Sequence, residues 1–180
     1  MKGVIRTRAG YAGGKIQNPT YRSIGDATET LQVDYDPAVI SYSDLLDIFW
    51  NSHNPVAPSW STQYRSVIFY SNEEQRKAAE QSSARVEKEI GRKLSTAIEP
   101  LMKFTLAEDY HQKYYLRQEG RVMADFSSLY PDQADFRESP AAAKVNGFVS
   151  GMGSERELKE LLPRLGLSEE GEKQLLRRVR

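Results

Sequence analysis

The stretch TETLQVDYDPAVISYSDLLDIFW, residues 28–50, decides the fold class, because its hydrophobic period changes across a single stop. From Thr28 to Tyr35 polar and apolar side chains alternate, with Leu31, Val33 and Tyr35 on one side, the pattern of a half-buried strand. Asp36-Pro37 ends the strand, since proline brings no N–H to a ladder. Beyond it Tyr42, Leu45, Leu46 and Phe49 recur at helical spacing behind Ser41 or Ser43, either of which can cap the first turn, and Asn54-Pro55 terminates the helix. A strand handing over to a helix with one buried face requires helices packed on a sheet.

The same reading extends in both directions. Upstream, Ile5, Thr7, Ala9 and Tyr11 face one way and Val4, Arg6 and Arg8 the other, which predicts a strand over 3–11 that runs into a Gly13-Gly14 turn and an ordered loop over 15–26. Downstream, Val67 to Tyr70 is a short apolar strand. Ser71-Asn72-Glu73-Glu74 then reads as a capping box for a long helix striped by Ala79, Val86 and Ile90 and closed by Gly91. Residues 95–106 read as extended and 107–117 as helical, so residues 1–117 form an α+β two-layer sandwich with a mainly antiparallel sheet. With Pro131, Pro140 and several glycines, residues 118–153 read as an extended arm laid on that domain. Residues 154–180 read as a helical hairpin, opened by Ser154-x-x-Glu157 and carrying Leu158, Leu161, Leu162 and Leu165, then Leu175, Leu176 and Val179.

Composition narrows the function classes. Lys plus Arg and Asp plus Glu both number 25 and their signs interleave, so no field of one sign is available for a nucleic-acid backbone or an anionic membrane, and neither is expected as a partner. The N-terminal MKGVIRTRAG lacks the apolar run of a secretory signal, which sets the expectation of a cytoplasmic protein. With no Cys, these residues hold no disulfide and no thiol. His53 and His111 are too far apart for a local metal motif, so no metal or bound cofactor is expected, and each reads as a helix-end or surface hydrogen bond.

Few side chains offer chemistry. Glu29 shares its strand face with Leu31, Val33 and Tyr35; burial there without a cation would keep it protonated, able to give a proton to a developing oxyanion, whereas from spacing alone it reads as a strand end in water. Tyr11 and Tyr21 flank the glycine turn and Tyr64 precedes a strand, so their hydroxyls could serve a polar oxygen as neutral donors, although any one of 10 tyrosines is more often packing. Trp50 reads as core, while Trp60 could line a pocket or cover one.

Seven segments carry a joint signal: Gly10-Tyr11-Ala12-Gly13-Gly14, Asn18-Pro19-Thr20-Tyr21, Val33-Asp34-Tyr35-Asp36-Pro37, Ile40-Ser41-Tyr42 with Leu45-Leu46, Phe49-Trp50 with His53 and Pro55, Thr62-Gln63-Tyr64-Arg65-Ser66, and Ala107-Glu108-Asp109-Tyr110-His111-Gln112. In order and spacing they resemble the catalytic domain of the type A peptide methionine sulfoxide reductases, over about Gly3 to Arg117. The resemblance implies a ferredoxin-like, split βαβ sheet and reduction of methionine S-sulfoxide in oxidised proteins or as the free amino acid, with a thioredoxin-like thiol as external reductant. It also implies that Glu29 is the acid that protonates the departing oxygen and that Tyr21 and Tyr64 hold that oxygen. The family's Gly-Cys-Phe-Trp segment, which supplies the nucleophile and the walls for the substrate methyl group, has no counterpart in these residues. A natural polypeptide that extends upstream of Met1, with cysteine or selenocysteine in the missing first strand and helix, is therefore the expectation; a binding module without redox chemistry is the alternative. The loops before Glu29 and Tyr64 are shorter than is usual in the family, and Ser59 stands where an acidic pocket residue is common.

Overall fold

The computed structural model describes residues 1–179, which form two compact units. One, the α/β unit, contains Gly10–Thr30 and Asp36–Ala107; the other, the helical unit, contains Met1–Ala9, Leu31–Tyr35 and the residues from Glu108 onward. The mixed helix-and-strand class read from the sequence holds.

Strands β1 (Val4–Ala12), β2 (Thr28–Tyr35) and β5 (Phe104–Leu106) form a sheet in the order β2-β1-β5. In the α/β unit β1 runs antiparallel to β5, with Gly10 opposite Leu106 and Ala12 opposite Phe104. Glycine is required at position 10, because a Cβ there would stand 2.2 Å from Cζ of Phe104. Helix α1 (Tyr42–Asn51) takes Ser41 as its cap: Asp44 N donates to Ser41 Oγ at 3.1 Å and Ser41 N to Asp44 Oδ2 at 2.9 Å. Strands β3 (Val67–Tyr70) and β4 (Ala97–Pro100) make a second, parallel pair, as the 18-residue helix α2 (Glu73–Ile90) between them permits. The cap of α2 is Asn72, one residue later than the sequence box placed it; Asn72 Oδ1 accepts Gln75 N at 2.8 Å, and Gln75 Oε1 accepts Ser71 N at 2.8 Å. Leu46 and Trp50 from α1, Ile68 from β3, and Ala79 and Val86 from α2 form the core of this unit. Trp50 is core as expected, its indole N–H donating to Ser82 Oγ at 3.0 Å. His53 is a helix-end staple, with Nδ1 2.8 Å from the Phe49 carbonyl and Nε2 2.9 Å from Ser66 Oγ.

The helical unit corrects the reading of residues 118–153. Instead of an extended arm they form α4 (Gly120–Leu129), α5 (Gln133–Glu138) and α6 (Pro140–Val149), preceded by α3 (Tyr114–Arg117) and followed by α7 (Glu155–Leu161) and α8 (Glu169–Val179). The prolines act as start signals: Asp132 caps α5 through Ala134 N at 2.6 Å, Ser139 caps α6 through Ala142 N at 3.1 Å, and Pro140 occupies the first turn of α6, where a missing N–H costs nothing. Val122, Phe126, Phe136, Val145, Leu158 and Leu175 are wholly buried together, which is what an arm of that composition gains by coiling.

Residues 107–117 are helical only in pieces, a 3-10 turn over Asp109–His111 and α3, because the residues between them are engaged elsewhere. The Gln112 amide exchanges two hydrogen bonds with the Ala9 backbone, at 2.9 and 2.8 Å, in the manner of a neighbouring strand. Lys113, at φ 55°, sends its buried amine to the carbonyls of Thr7 at 2.5 Å and Arg137 at 2.9 Å. Beside it, Glu138 accepts Arg8 Nε at 2.8 Å, and Arg8 Nη1 reaches Asp34 at 3.1 Å. The bonds from Arg8 hold the Glu138 carboxyl down at about 2. Among the described residues no helix is long and apolar enough to cross a membrane.

Candidate active site

Three short segments of the α/β unit bring Glu29, Tyr21 and Tyr64 together. Tyr21 stands on a tight turn closed by Thr20 N to Ser23 O at 3.2 Å and Ser23 N to Thr20 O at 3.0 Å. The next turn back, Gly13-Gly14, is pinned by Asp26, which accepts the N–H groups of Lys15 at 2.8 Å and Ile16 at 3.2 Å. Both glycines have positive φ, and a Cβ on Gly14 would meet Asp26 Oδ1 at 2.4 Å, so the close approach demands glycine.

Glu29 is the second residue of β2, and its position is set from residues 62–65. Thr28, fully buried, donates through Oγ1 to Thr62 O at 3.0 Å and accepts Arg65 Nε at 2.9 Å. Arg65 in turn forks onto Glu99, with Nη2 2.7 Å from Oε2, so its charge is spent there and its pKa is raised by that pairing. Glu29 N donates to Gln63 O at 2.9 Å, and the Gln63 side chain returns the contact: Nε2 donates to Glu29 Oε1 at 2.8 Å and to Tyr64 Oη at 3.0 Å. Tyr64 is further hydrogen-bonded to Tyr21. That bond first, then slight desolvation and the nearby Glu29, hold the Tyr64 phenol above its ordinary value, so it stays a neutral donor.

The arrangement is an unbroken chain of polar groups, Glu29 to Gln63 to Tyr64 to Tyr21, lying open at the surface. Of the two sequence readings of Glu29, burial against apolar neighbours or a strand end in water, the structure has the second. Glu29 is exposed, and Leu31 on the same face is 63% exposed. Among the described residues no ion pair to Glu29 is present, and the Gln63 amide donates to its carboxyl group. Tyr11 is buried in the core. A hollow of about 330 Å³ beside the glycine turn is lined by Tyr11, Gly13, Gly14, Ile16, Met102 and Lys103 among others; none of the three site residues lines it.

Chemically, two phenol hydroxyls and a carboxyl group around one spot can bind a polar, weakly basic oxygen and pass it a proton. Sequence reasoning overlooked Gln63, Thr28 and Arg65. Gln63 and Arg65 stand in the Thr62-Gln63-Tyr64-Arg65-Ser66 motif, and that adjacency was the available signal. A family model described as peptide methionine sulfoxide reductase matches residues 1–142. The peptide methionine sulfoxide reductase of Drosophila melanogaster is 40% identical over 169 residues, 93% of this chain and 68% of that protein. The MsrA protein of Methanothermobacter thermautotrophicus is 49% identical over 127 residues, covering 63% of this chain and 74% of its own. Among solved structures, Mxr1 from Saccharomyces cerevisiae in reduced form superposes with a TM-score of 0.60 at 30% identity, over 66% of this chain and 74% of that one.

Proposed function

The chain belongs to the peptide methionine sulfoxide reductase family, a family of oxidoreductases, and on that premise we propose that residues 10–107 supply the oxygen-receiving part of a site that reduces methionine S-sulfoxide in oxidised proteins or as the free amino acid. Tyr21 and Tyr64 hold the sulfoxide oxygen by hydrogen bonds, and Glu29 gives it a proton as a thiol or selenol attacks sulfur. The oxygen passes from the sulfoxide to that nucleophile, so the sulfoxide is reduced to a thioether and the nucleophile oxidised to its sulfenic or selenenic acid, which a thioredoxin-like thiol then resolves. The 180 residues contain no Cys, so the nucleophile is not among them. The same reading sets the reaction in the cytoplasm.

The observation that carries this proposal is the Gln63 amide, which spans Glu29 Oε1 at 2.8 Å and Tyr64 Oη at 3.0 Å and leaves the acid and a phenol side by side. The 180-residue protein, titrated with N-acetyl-L-methionine S-sulfoxide methyl amide and followed by NMR, should show shifts at Tyr21, Glu29 and Tyr64 that the parent thioether does not produce. Replacing both tyrosines, Tyr21→Phe with Tyr64→Phe, removes two donors to one oxygen and should weaken binding by about ten-fold. Equal shifts with the thioether, or none with the sulfoxide, would overturn the assignment. The same protein should not turn over the sulfoxide with dithiothreitol or thioredoxin, and turnover above a no-protein blank would show that the nucleophile has been misplaced.

A further inference from the structure

Gln63 brings no acid, base or nucleophile to the chain of polar groups, yet it holds the middle of it. Its Nε2 donates to Glu29 Oε1 at 2.8 Å and to Tyr64 Oη at 3.0 Å, so both hydrogens of a single nitrogen are engaged. The amide faces this way because a carboxylate offers only lone pairs, and a reversed amide would set its own carbonyl oxygen against them. Its backbone is fixed as well: the Gln63 carbonyl accepts Glu29 N at 2.9 Å, and Arg65, two residues on, donates to Thr28 Oγ1 at 2.9 Å. Two hydrogens are placed as a result. Tyr64 Oη receives the amide on one side, so its own hydrogen lies on another, where Tyr64 is hydrogen-bonded to Tyr21. In the acid form of Glu29 the carbonyl oxygen is the better acceptor, so an amide at Oε1 puts the proton on Oε2.

We propose that Gln63 is a positioning residue that keeps Glu29 and Tyr64 from pairing with each other, so that the Tyr64 hydrogen and the Glu29 proton both remain for the sulfoxide oxygen. The proposal rests on the function assigned above. A phenol beside a carboxylate gives its hydrogen to the charge, because a hydrogen bond to an ionised acceptor is stronger than one to a neutral oxygen. A tyrosine spent in that way has no second hydrogen with which to hold a substrate. One amide nitrogen between the two groups satisfies an oxygen of each and consumes the hydrogen of neither. Gln63 thus acts on the sulfoxide through Tyr64 and Glu29 and needs no contact of its own with it.

The test replaces the amide by a thioether of similar length, Gln63→Met, in the 180-residue protein. Titrated by NMR with N-acetyl-L-methionine S-sulfoxide methyl amide, this variant should bind about five-fold more weakly than the parent, the worth of roughly one neutral hydrogen bond. In a Tyr64→Phe background the same replacement should change binding by less than about two-fold, because the hydroxyl through which Gln63 acts is gone. A merely structural role would cost the same in both backgrounds. The phenol gives a second readout. Its bond to Tyr21 first, then desolvation and Glu29, hold Tyr64 above its ordinary value while donation from Gln63 pulls the other way, so Gln63→Met should raise it further in a pH titration of the tyrosine ring signals. If the parent binds the sulfoxide but Gln63→Met loses less than about two-fold, or loses equally in both backgrounds, or leaves the Tyr64 titration in place, the positioning role is overturned and the function assignment stands. If the parent shows no binding at all, both are overturned.

Discussion

In the helical unit Phe126 and Phe136 have no solvent exposure and pack edge to face at 6.2 Å, whereas in the α/β unit Trp60 and Tyr64 lean on one another at the surface, 82% and 43% exposed. The helical core joins side chains from α3 to α8, so almost every helix contributes apolar area and the polar groups are mainly caps. The core of the α/β unit is smaller, confined to α1, α2 and β3 with partly buried neighbours, and its Tyr21, Trp60 and Tyr64 are exposed. The contrast teaches that stability and the proposed chemistry are assigned to different residues. Side chains that must contact a ligand cannot also be spent on the core.

The largest test of that contrast is a cavity. Phe126→Ala removes a fully buried ring that touches Phe136 and Tyr130, and should cost about 3–5 kcal/mol in urea or guanidinium unfolding. A cost below about 1 kcal/mol would mean that the helical core does not hold that unit together.

A second test concerns the buried polar point of the helical unit. Desolvation lowers the Lys113 amine to about 8, outweighing the attraction of Glu138, with Arg8, Arg137 and Arg117 adding repulsion. The unfolded chain keeps a value near 10.5, so below pH 8 the amine is charged in both states and the burial penalty is present in full. Between about 8 and 10.5 the unfolded state holds more protons, and stability rises with pH. Relative to Lys113→Met, the gain across that window should reach at most roughly 3 kcal/mol. Stability curves for parent and variant that run parallel from pH 7 to 11 would remove the claim.

The smallest test sharpens the frame of the site. Thr28→Val deletes a hydroxyl that donates to Thr62 O and accepts from Arg65 Nε, leaving both partners unsatisfied, and should cost about 1–3 kcal/mol. It should also disturb the register that places Glu29 against Gln63, visible as changed amide shifts at both residues. An unchanged unfolding curve would show that the strand start is held by other contacts.

How far the site was legible depends on the range of each interaction. The strand at 28–35, the helix behind a Ser41 or Ser43 cap and the long helix ending at Gly91 follow from periods and caps confined to a few neighbours; the structure has them within a residue or two and selects Ser41. The helices of 118–153 were missed because their start signals, Asp132 and Ser139-Pro140, resemble loop punctuation until the buried stripe of Val122, Phe126, Val145 and Val149 is seen to have a partner. Glu29, Tyr21 and Tyr64 came from motif resemblance, and neither period nor spacing singled them out.

By itself, then, the sequence determined the family, the alternation of strand and helix, the absence of cysteine among these residues and the identities of the three candidate side chains. Tertiary structure alone decided that Gln63 spans Glu29 and Tyr64 and that Trp60 leans on Tyr64. The physical reason is that local pattern reflects free energy gained within one turn or one strand, whereas a hydrogen bond between residues 29 and 63, or the exposure of a side chain, depends on which distant segments the chain brings against it.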